Sequence, residues 1–467
     1  MLWRMAGRST AVAAGGLTWF VRPDRKALIR LRELCLPAMG GMLLMTLVGV
    51  VDLKMVGELV PENVKTGSIT ALVLNRTLMW VINSFLTGFG VAATAFVSQA
   101  KGSGDMEKVR VYGTLTMFIS ACFALAITMV GLLVGPWMLS LLGAEASVEA
   151  LTWDYLNLIL IGMLVFSTNF VSMNIFNALG QTQMPFYSQL ILNAVNVVVN
   201  WIMIPHWGVA GAALATLLST TAVVVFYLWQ LRAQKLLTGL RKVLKEPLGP
   251  LMGQVIPGSL MMVLRSLSML ALYKIIALVP ESLGDTTVGM AALGVGIQVE
   301  SLSFIPTFAF SVAAATMVGQ ALGAGDIERA NRGCSSAVLV ALCFMCVMAT
   351  LFITFPEELV NFFASRDASI LPEGVNYILI NAIGVPAIGM CITLSGGLRG
   401  AGDVRSVTAI VLIAQWGVRL PLAWYLAVPG GMGFTGVWIA QALTCWVEFT
   451  LLSARWISGR WTLKKLV

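Results

Sequence analysis

Residues 97–108 read V-S-Q-A-K-G-S-G-D-M-E-K, and residues 318–329 read V-G-Q-A-L-G-A-G-D-I-E-R. Gln99, Gly102, Gly104 and Asp105 thus recur 221 positions later as Gln320, Gly323, Gly325 and Asp326. Pro37 matches Pro257 and Gly180 matches Gly400 at a shift of 220, and Gly208-Val-Ala-Gly211 matches Gly433-Phe-Thr-Gly436 at 225. One such match is within chance, but four in the same order imply two structural repeats.

What fills each repeat follows from composition. Of 467 residues, 58% are hydrophobic and only 11% charged, against roughly 25% charged in a soluble domain. So few charges cannot cover a water-soluble protein of this size, which excludes a cytosolic enzyme, a disordered chain and a secreted disulfide scaffold. Apolar runs long enough to cross a bilayer fall near 34–60, 68–98, 111–141, 150–178, 184–205 and 208–231, then near 250–279, 287–319, 333–356, 373–397, 406–428 and 434–457. The fold class expected is an all-α membrane protein with twelve transmembrane helices in two pseudo-symmetric six-helix lobes. An even number of spans per repeat makes both lobes enter the membrane from the same side, the parallel-repeat plan. The domains expected are a basic N-terminal tail (1–33), an N-lobe (34–231), a connector (232–249), a C-lobe (250–457) and a C-terminal tail (458–467).

Charge sets the orientation. If the spans alternate, 23 of the 30 Lys and Arg residues fall on one side, in the two tails, the connector and the loops after spans 2, 8 and 10. The opposite loops carry Glu145, Glu149, Glu281, Asp285, Glu357, Glu358 and Asp367. Both termini are therefore expected in the cytoplasm, in a multi-pass plasma (inner) membrane protein. The net charge of +8 reads as loops beside anionic headgroups, not as a nucleic-acid face. The first 23 residues hold three arginines and no acid; a short basic tail or an early start codon is preferred to a targeting signal.

Several chemistries lack their residues. The seven cysteines are scattered, and Cys343 and Cys346 have no second pair or histidine with them, so they read as core residues with no metal site. The single histidine, His206, stands between Pro205 and Trp207 and is expected in a loop. G-x-G-D occurs at 102–105, 323–326 and 400–403. An intramembrane aspartyl protease needs two aspartates within the bilayer, whereas these three follow glycines in loops. There Gly ends one helix and Asp caps the next. No enzyme activity is expected.

An ionisable residue inside a span costs ~2.5–3.5 kcal/mol, so each is a functional candidate. They are Asp52, Lys54, Arg76, Arg265, Lys274, Glu300, Arg419 and Glu448, with Asp154 near the start of span 4. Asp52 is the sharpest. Lys54, two positions on, points to another helix face. A low dielectric favours a neutral carboxyl, so Asp52 can hold a proton or trade it for a cation. Its repeat equivalents are Leu272 or Tyr273, an asymmetry that suggests coupling more than architecture. The alternative is a satisfied aspartate that caps or pairs. Asn196 and Asn200 share one face of span 5, with Asn193 close to it. Their amides can coordinate a cation or orient a proton, or can bond helices together. Asn193, Arg265, Glu300 and Arg419 are candidate cavity residues, with a structural ion-pair network as the alternative for the three charges. Pro37, Pro306 and Pro386 are candidate hinges.

The sequence resembles the multidrug and toxic compound extrusion (MATE) transporters over about 34–457. The residues that carry the resemblance are D-L-K-M-V-G (52–57), G-V-A-G-A-A-L-A-T (208–216), V-G-Q-A-L-G-A-G-D-I-E-R-A (318–330) and G-L-R-G-A-G-D (397–403). It implies export of amphipathic, often cationic compounds driven by H⁺ or Na⁺. By the same resemblance Asp52 is the coupling acid, Asn196 and Asn200 are its partners, and Thr216 is a nearby polar partner on span 6. Some members also carry cation-binding acids on spans 7 and 10. Here span 7 has Arg265 and Lys274 and span 10 has no acid, so a second-lobe site of that type is not expected. The function expected is a cation-coupled antiporter with no cofactor beyond H⁺ or Na⁺. Its partners would be small-molecule substrates and the lipid bilayer, with no nucleic acid, and it would act as a monomer. The alternative is a lipid-linked oligosaccharide flippase, whose pyrophosphate cargo Arg76, Arg265 and Arg419 would hold.

Overall fold

The computed structural model describes residues 24–140, 146–363, 368–464 and 466. Residues 1–23 of the tail, Glu145 and Asp367 lie outside them. The described residues are helical with short turns and no strand. In chain order the helices of the first repeat are α1 (Arg25–Leu59), α2 (Glu62–Gly102), α3 (Met106–Ser140), α4 (Ala146–Ile161), α5 (Met163–Ala178) and α6 (Gln183–Ala233). After the short α7 (Leu240–Val243) come α8 (Leu248–Ala277), α9 (Thr286–Gly323), α10 (Ile327–Thr354), α11 (Pro356–Phe363), α12 (Leu371–Ala382) and α13 (Val385–Gly400). The chain ends with α14 (Val404–Leu412), a π-helical stretch (Ile413–Arg419), α15 (Leu420–Ala427) and α16 (Gly433–Ile457).

Nine of the described helical segments are long and apolar enough to cross a membrane. Two bent pairs, α4–α5 at 57° and α12–α13 at 54°, each act as one broken span and bring the number to eleven. The twelfth lies inside α6. Its 51 residues would run roughly 76 Å at 1.5 Å per residue, more than twice a hydrocarbon core of ~30 Å. The helix turns at Gly208, where φ is 53° and ψ is −128°. His206 is accordingly not in a loop as expected. It is an exposed residue within α6, because a single glycine reverses the chain without any loop residues.

The repeats share their backbone devices. Gly433, the counterpart of Gly208, also has a positive φ of 57°. Three residues later, Gly211 and Gly436 each press on the backbone of the preceding helix. A Cβ there would stand 2.4 Å from Met203 O and 2.7 Å from Leu426 C. Gly104 and Gly325, 221 apart, take φ of 79° and 76°. The next aspartates cap as expected: Lys108 N donates to Asp105 Oδ1 at 3.0 Å and Arg329 N to Asp326 Oδ1 at 2.9 Å. Asp403, in the third G-x-G-D, instead accepts from Arg455 Nε at 2.6 Å and Ser406 Oγ at 2.9 Å. One match shifts. Gly180 (φ 74°) corresponds in conformation to Gly402 (φ 84°), not to Gly400, because equivalent helix ends here are 222 residues apart.

Small residues bring helices together where lipid supplies no hydrophobic drive. Gly396 and Gly400 of α13 lie on Ser311 and Ala315 of α9, four apart on each helix. A Cβ at Gly400 would stand 2.1 Å from Ala315 O, and one at Gly396 2.5 Å from Ser311 O.

The chain divides into two compact units, Leu36–Val255, and Met1–Cys35 with Ile256–Val467. The boundaries cut α1 and α8 beside Pro37 and Pro257, the prolines matched at a shift of 220. In the second unit the start of α1 is tied down by Asp24, 3.8 Å from Arg332, and by Cys35 Sγ, which donates to Ala309 O at 3.7 Å.

Candidate functional site

Three polar side chains meet inside the unit Leu36–Val255. Asp52 comes from α1, Asn196 and Asn200 from the first arm of α6. All are buried; Asp52 retains 8% of its surface and the two asparagines none. Asn200 Nδ2 donates to Asp52 Oδ1 at 2.6 Å and to Asn196 Oδ1 at 3.0 Å. The second pair is the i,i+4 contact of one helix face. Two amide atoms, Asn196 Nδ2 and Asn200 Oδ1, have no partner. Lys54 does not enter this group: its exposed ammonium lies 3.8 Å from Glu58.

A cavity of about 220 Å³ opens beside Asp52, and Thr216, on the second arm of α6, lines it. The bend at Gly208 is what returns Thr216 toward α1. Its hydroxyl donates to Ala212 O at 3.0 Å. Asn83 of α2, Tyr155 of α4 and Phe166 of α5 complete the wall. Of these three only Asn83, a polar side chain in an apolar run, stands out in the sequence; Tyr155 and Phe166 read as ordinary core. Asn193 stands apart and donates to Leu44 O at 3.0 Å and to Gln189 O at 2.8 Å, joining α6 to the α1 backbone.

The other candidates lie in the second unit. Arg265 of α8 pairs with Glu448 of α16. Glu448 also accepts from Gln415 Nε2 at 3.0 Å. Arg419 closes the π-helical stretch and donates to the oxygens of Gln415 and Gln441, both at 2.8 Å. Gln441 Nε2 donates to the Tyr377 hydroxyl at 2.7 Å, and the buried Glu300 carboxyl lies beside Tyr377, Gln441 and Arg419. Arg265, partly open, and the buried Glu448, Arg419 and Glu300 form one polar network joined by neutral side chains. Gln415, Gln441 and Tyr377, which join it, carry no charge at neutral pH, so charge within a span does not mark them in the sequence. Pro37 and Pro306 lie within α1 and α9, while Pro386 begins α13 at the 54° break after Gly384. The side chain of Arg76 lies outside those described.

The MatE family model matches residues 37–202 and 259–425, one stretch in each repeat. The chain belongs to the MatE family. Similar MatE proteins include the probable multidrug resistance protein NorM of Thermotoga maritima, 26% identical over 94% of this chain and 93% of that one. Another is the probable multidrug resistance protein YoeA of Bacillus subtilis, 24% identical over 80% of this chain and 82% of that one. Among solved structures, a MATE protein in the bent conformation superposes with a TM-score of 0.84 at 20% identity, covering 96% of this chain and 98% of that one. A MOP superfamily transporter from Pyrococcus furiosus, described as having a binding pocket of reversed polarity, gives the same score, identity and coverage. At that identity the likeness shows the fold alone; the family match and the relatives are what make this chain one of a multi-pass membrane transporter family.

Proposed function

We propose that this MatE-family chain is a cation-coupled antiporter that exports amphipathic, cationic organic compounds by alternating access. The observation that carries the reading is the Asp52 carboxylate, buried on α1, bonded to the Asn200 amide of α6 and facing a cavity. A charge so placed is costly and suited to gaining and losing a small ion. Its occupancy would bias the packing of α1 near Pro37, so that ion and substrate oppose each other's binding, as exchange requires by linkage. The names of the relatives support export of many compounds. The chain acts as a monomer in the plasma membrane with both termini cytoplasmic, and needs no cofactor beyond H⁺ or Na⁺. The flippase alternative finds no support. Of the cations it would use, Arg265 is held by Glu448 and Arg419 by two glutamines.

The test is efflux of ethidium from proteoliposomes under an imposed pH or Na⁺ gradient. Asp52→Asn should abolish gradient-driven efflux while leaving the protein folded. Full efflux by that variant would reject the proposal.

A further inference from the structure

We propose that a cleft between the first turns of α1 and α10 binds the phosphate of an anionic lipid headgroup, with Lys26, Arg30 and Arg329 as its ligands. The site is separate from Asp52 and from the ion that the chain couples to.

The cleft lies wholly within the second unit. Its volume is about 390 Å³, within the ~300–1,000 Å³ of small-molecule sites. Lys26 and Arg30 of α1 and Arg329 and Arg332 of α10 line it, together with Met317 and Gln320 at the end of α9. Three acids line it as well, and each is already engaged. Asp24 Oδ1 accepts from Lys26 N at 3.1 Å and Asp326 Oδ1 from Arg329 N at 2.9 Å, so both offset the partial positive charge of the helix end they cap. Glu328 pairs with Arg332, which also lies 3.8 Å from Asp24. Arg30 bonds Glu33 at 3.0 Å. Among the described residues, no carboxylate forms an ion pair with the exposed ammonium of Lys26 or the exposed guanidinium of Arg329. Two such cations lining one cleft repel each other, and an anion between them turns that repulsion into attraction.

Depth identifies the anion as a lipid's. One exposed face of α1 carries Arg25, Ile29, Arg32, Leu36 and Leu43 in turn, and no charge follows Glu33 until Asp52. The face thus passes from basic to apolar near Leu34, which sets the edge of the hydrocarbon there. Arg30 stands roughly 6 Å outside that edge at 1.5 Å per residue, within a headgroup layer of roughly 5–8 Å. Lys26 stands roughly 12 Å out, and its long stem lets the ammonium lean back toward that layer. α10 repeats the pattern: Arg329 and Arg332 are exposed, no charge follows them, and the next exposed side chains are Cys343, Cys346 and Val347. The cleft therefore opens where phosphates are densest. Arg329 can meet a phosphate with two parallel N–H groups and Lys26 as a point charge. A phosphate so held joins the segment of α1 before Pro37 to α10, beside the ties that Asp24 and Cys35 already make.

The experiment titrates phosphatidylglycerol into the full chain in dodecyl maltoside and follows Tm by tryptophan fluorescence, a readout that needs no transport. Phosphatidylglycerol should raise Tm saturably, because a ligand that binds only the folded state stabilises it. The double variant Lys26→Gln/Arg329→Gln should move the midpoint of that titration up by roughly thirtyfold, about fivefold for each basic residue near an anionic headgroup. Lys26→Arg/Arg329→Lys, which keeps both charges, should hold the wild-type midpoint. Arg241→Gln/Lys245→Gln removes two exposed cations of the connector, outside the cleft, and should hold it too. An equal shift of midpoint in the connector variant would overturn the site in favour of general surface charge. Equal stabilisation of the wild type by phosphatidylcholine would overturn it as well, and the whole stabilisation produced by inorganic phosphate alone would make free phosphate the ligand and overturn the lipid. On the wild type alone, phosphatidylglycerol with a photoreactive headgroup should label peptides 24–32 and 326–332; labelling that misses both would reject the proposal whatever the variants do.

Discussion

Glu448→Gln keeps the shape of the side chain and removes its charge. Glu448 is almost fully buried, bonded to Arg265 through one oxygen and to Gln415 through the other. Breaking a buried pair by neutralising one partner costs ~3–5 kcal/mol, because the remaining charge is left uncompensated. Arg265 is about one-third exposed, with 34% of its side-chain surface open, so the low end, ~3 kcal/mol, applies. That is roughly a hundredfold in the folded-to-unfolded ratio and a fall in Tm of about 6 °C or more for a unit of this size. Arg265→Met should cost more, since Glu448 has only 4% of its side-chain surface open. The double variant removes both charges together and should lose less than the sum by about 2 kcal/mol. Thermal unfolding followed by tryptophan fluorescence in detergent reads all three, and ethidium efflux is measured beside it. Additive losses would refute the assignment of this pair to structure. So would a double variant that is as stable as the wild type but inactive in transport, because the charges would then serve the cycle.

Two further outcomes follow from packing and capping. Gly400→Val must push α13 off α9, since even a Cβ would stand 2.1 Å from Ala315 O. A loss of 3 kcal/mol or more, at the upper end of overpacking costs of ~1–3 kcal/mol, should appear as loss of the monodisperse gel-filtration peak, whereas Gly325→Ala, with open space around it, should cost only the ~1 kcal/mol of a positive φ. Asp326→Ala removes the acceptor for Arg329 N and should lower stability by ~1 kcal/mol, whereas an equal loss on Asn331→Ala, inside α10, would deny the aspartate its role.

The apolar runs and the two-fold repeat were legible because both are written in residue type. A span must be apolar over some twenty residues, and a turn that needs a positive φ selects glycine. The break within span 4 and the joining of spans 5 and 6 were not legible, because they turn on the conformation of Gly162 and Gly208 and not on composition. The Pro205-His206-Trp207 stretch looked like a loop for the same reason. In the site, Asp52 and the α6 asparagines were visible as polar residues in apolar runs. That Asn193 joins α1 through Leu44 O while Asn200 bonds Asp52 and Asn196 was not. A helix places residues 193 and 196 within 60° of each other at 100° per residue, and which neighbour each meets depends on where α1 lies.

The two repeats carry the same backbone and different interiors. Gly104 and Gly325, Gly208 and Gly433, and Pro37 and Pro257 hold equivalent places, so the scaffold of turns and bends is duplicated. The buried charges are not. The second unit matches two arginines with two glutamates and joins them through Gln415, Gln441 and Tyr377. Adding or removing one ion there unbalances a network held from several helices, which is the situation in which a buried pair resists change. In the first unit Asp52 meets amides, which can donate or accept equally well, and it adjoins a cavity. A coupled transport cycle of the kind proposed above would need one group that changes charge cheaply and a frame that does not, and separate repeats would let the same fold supply both.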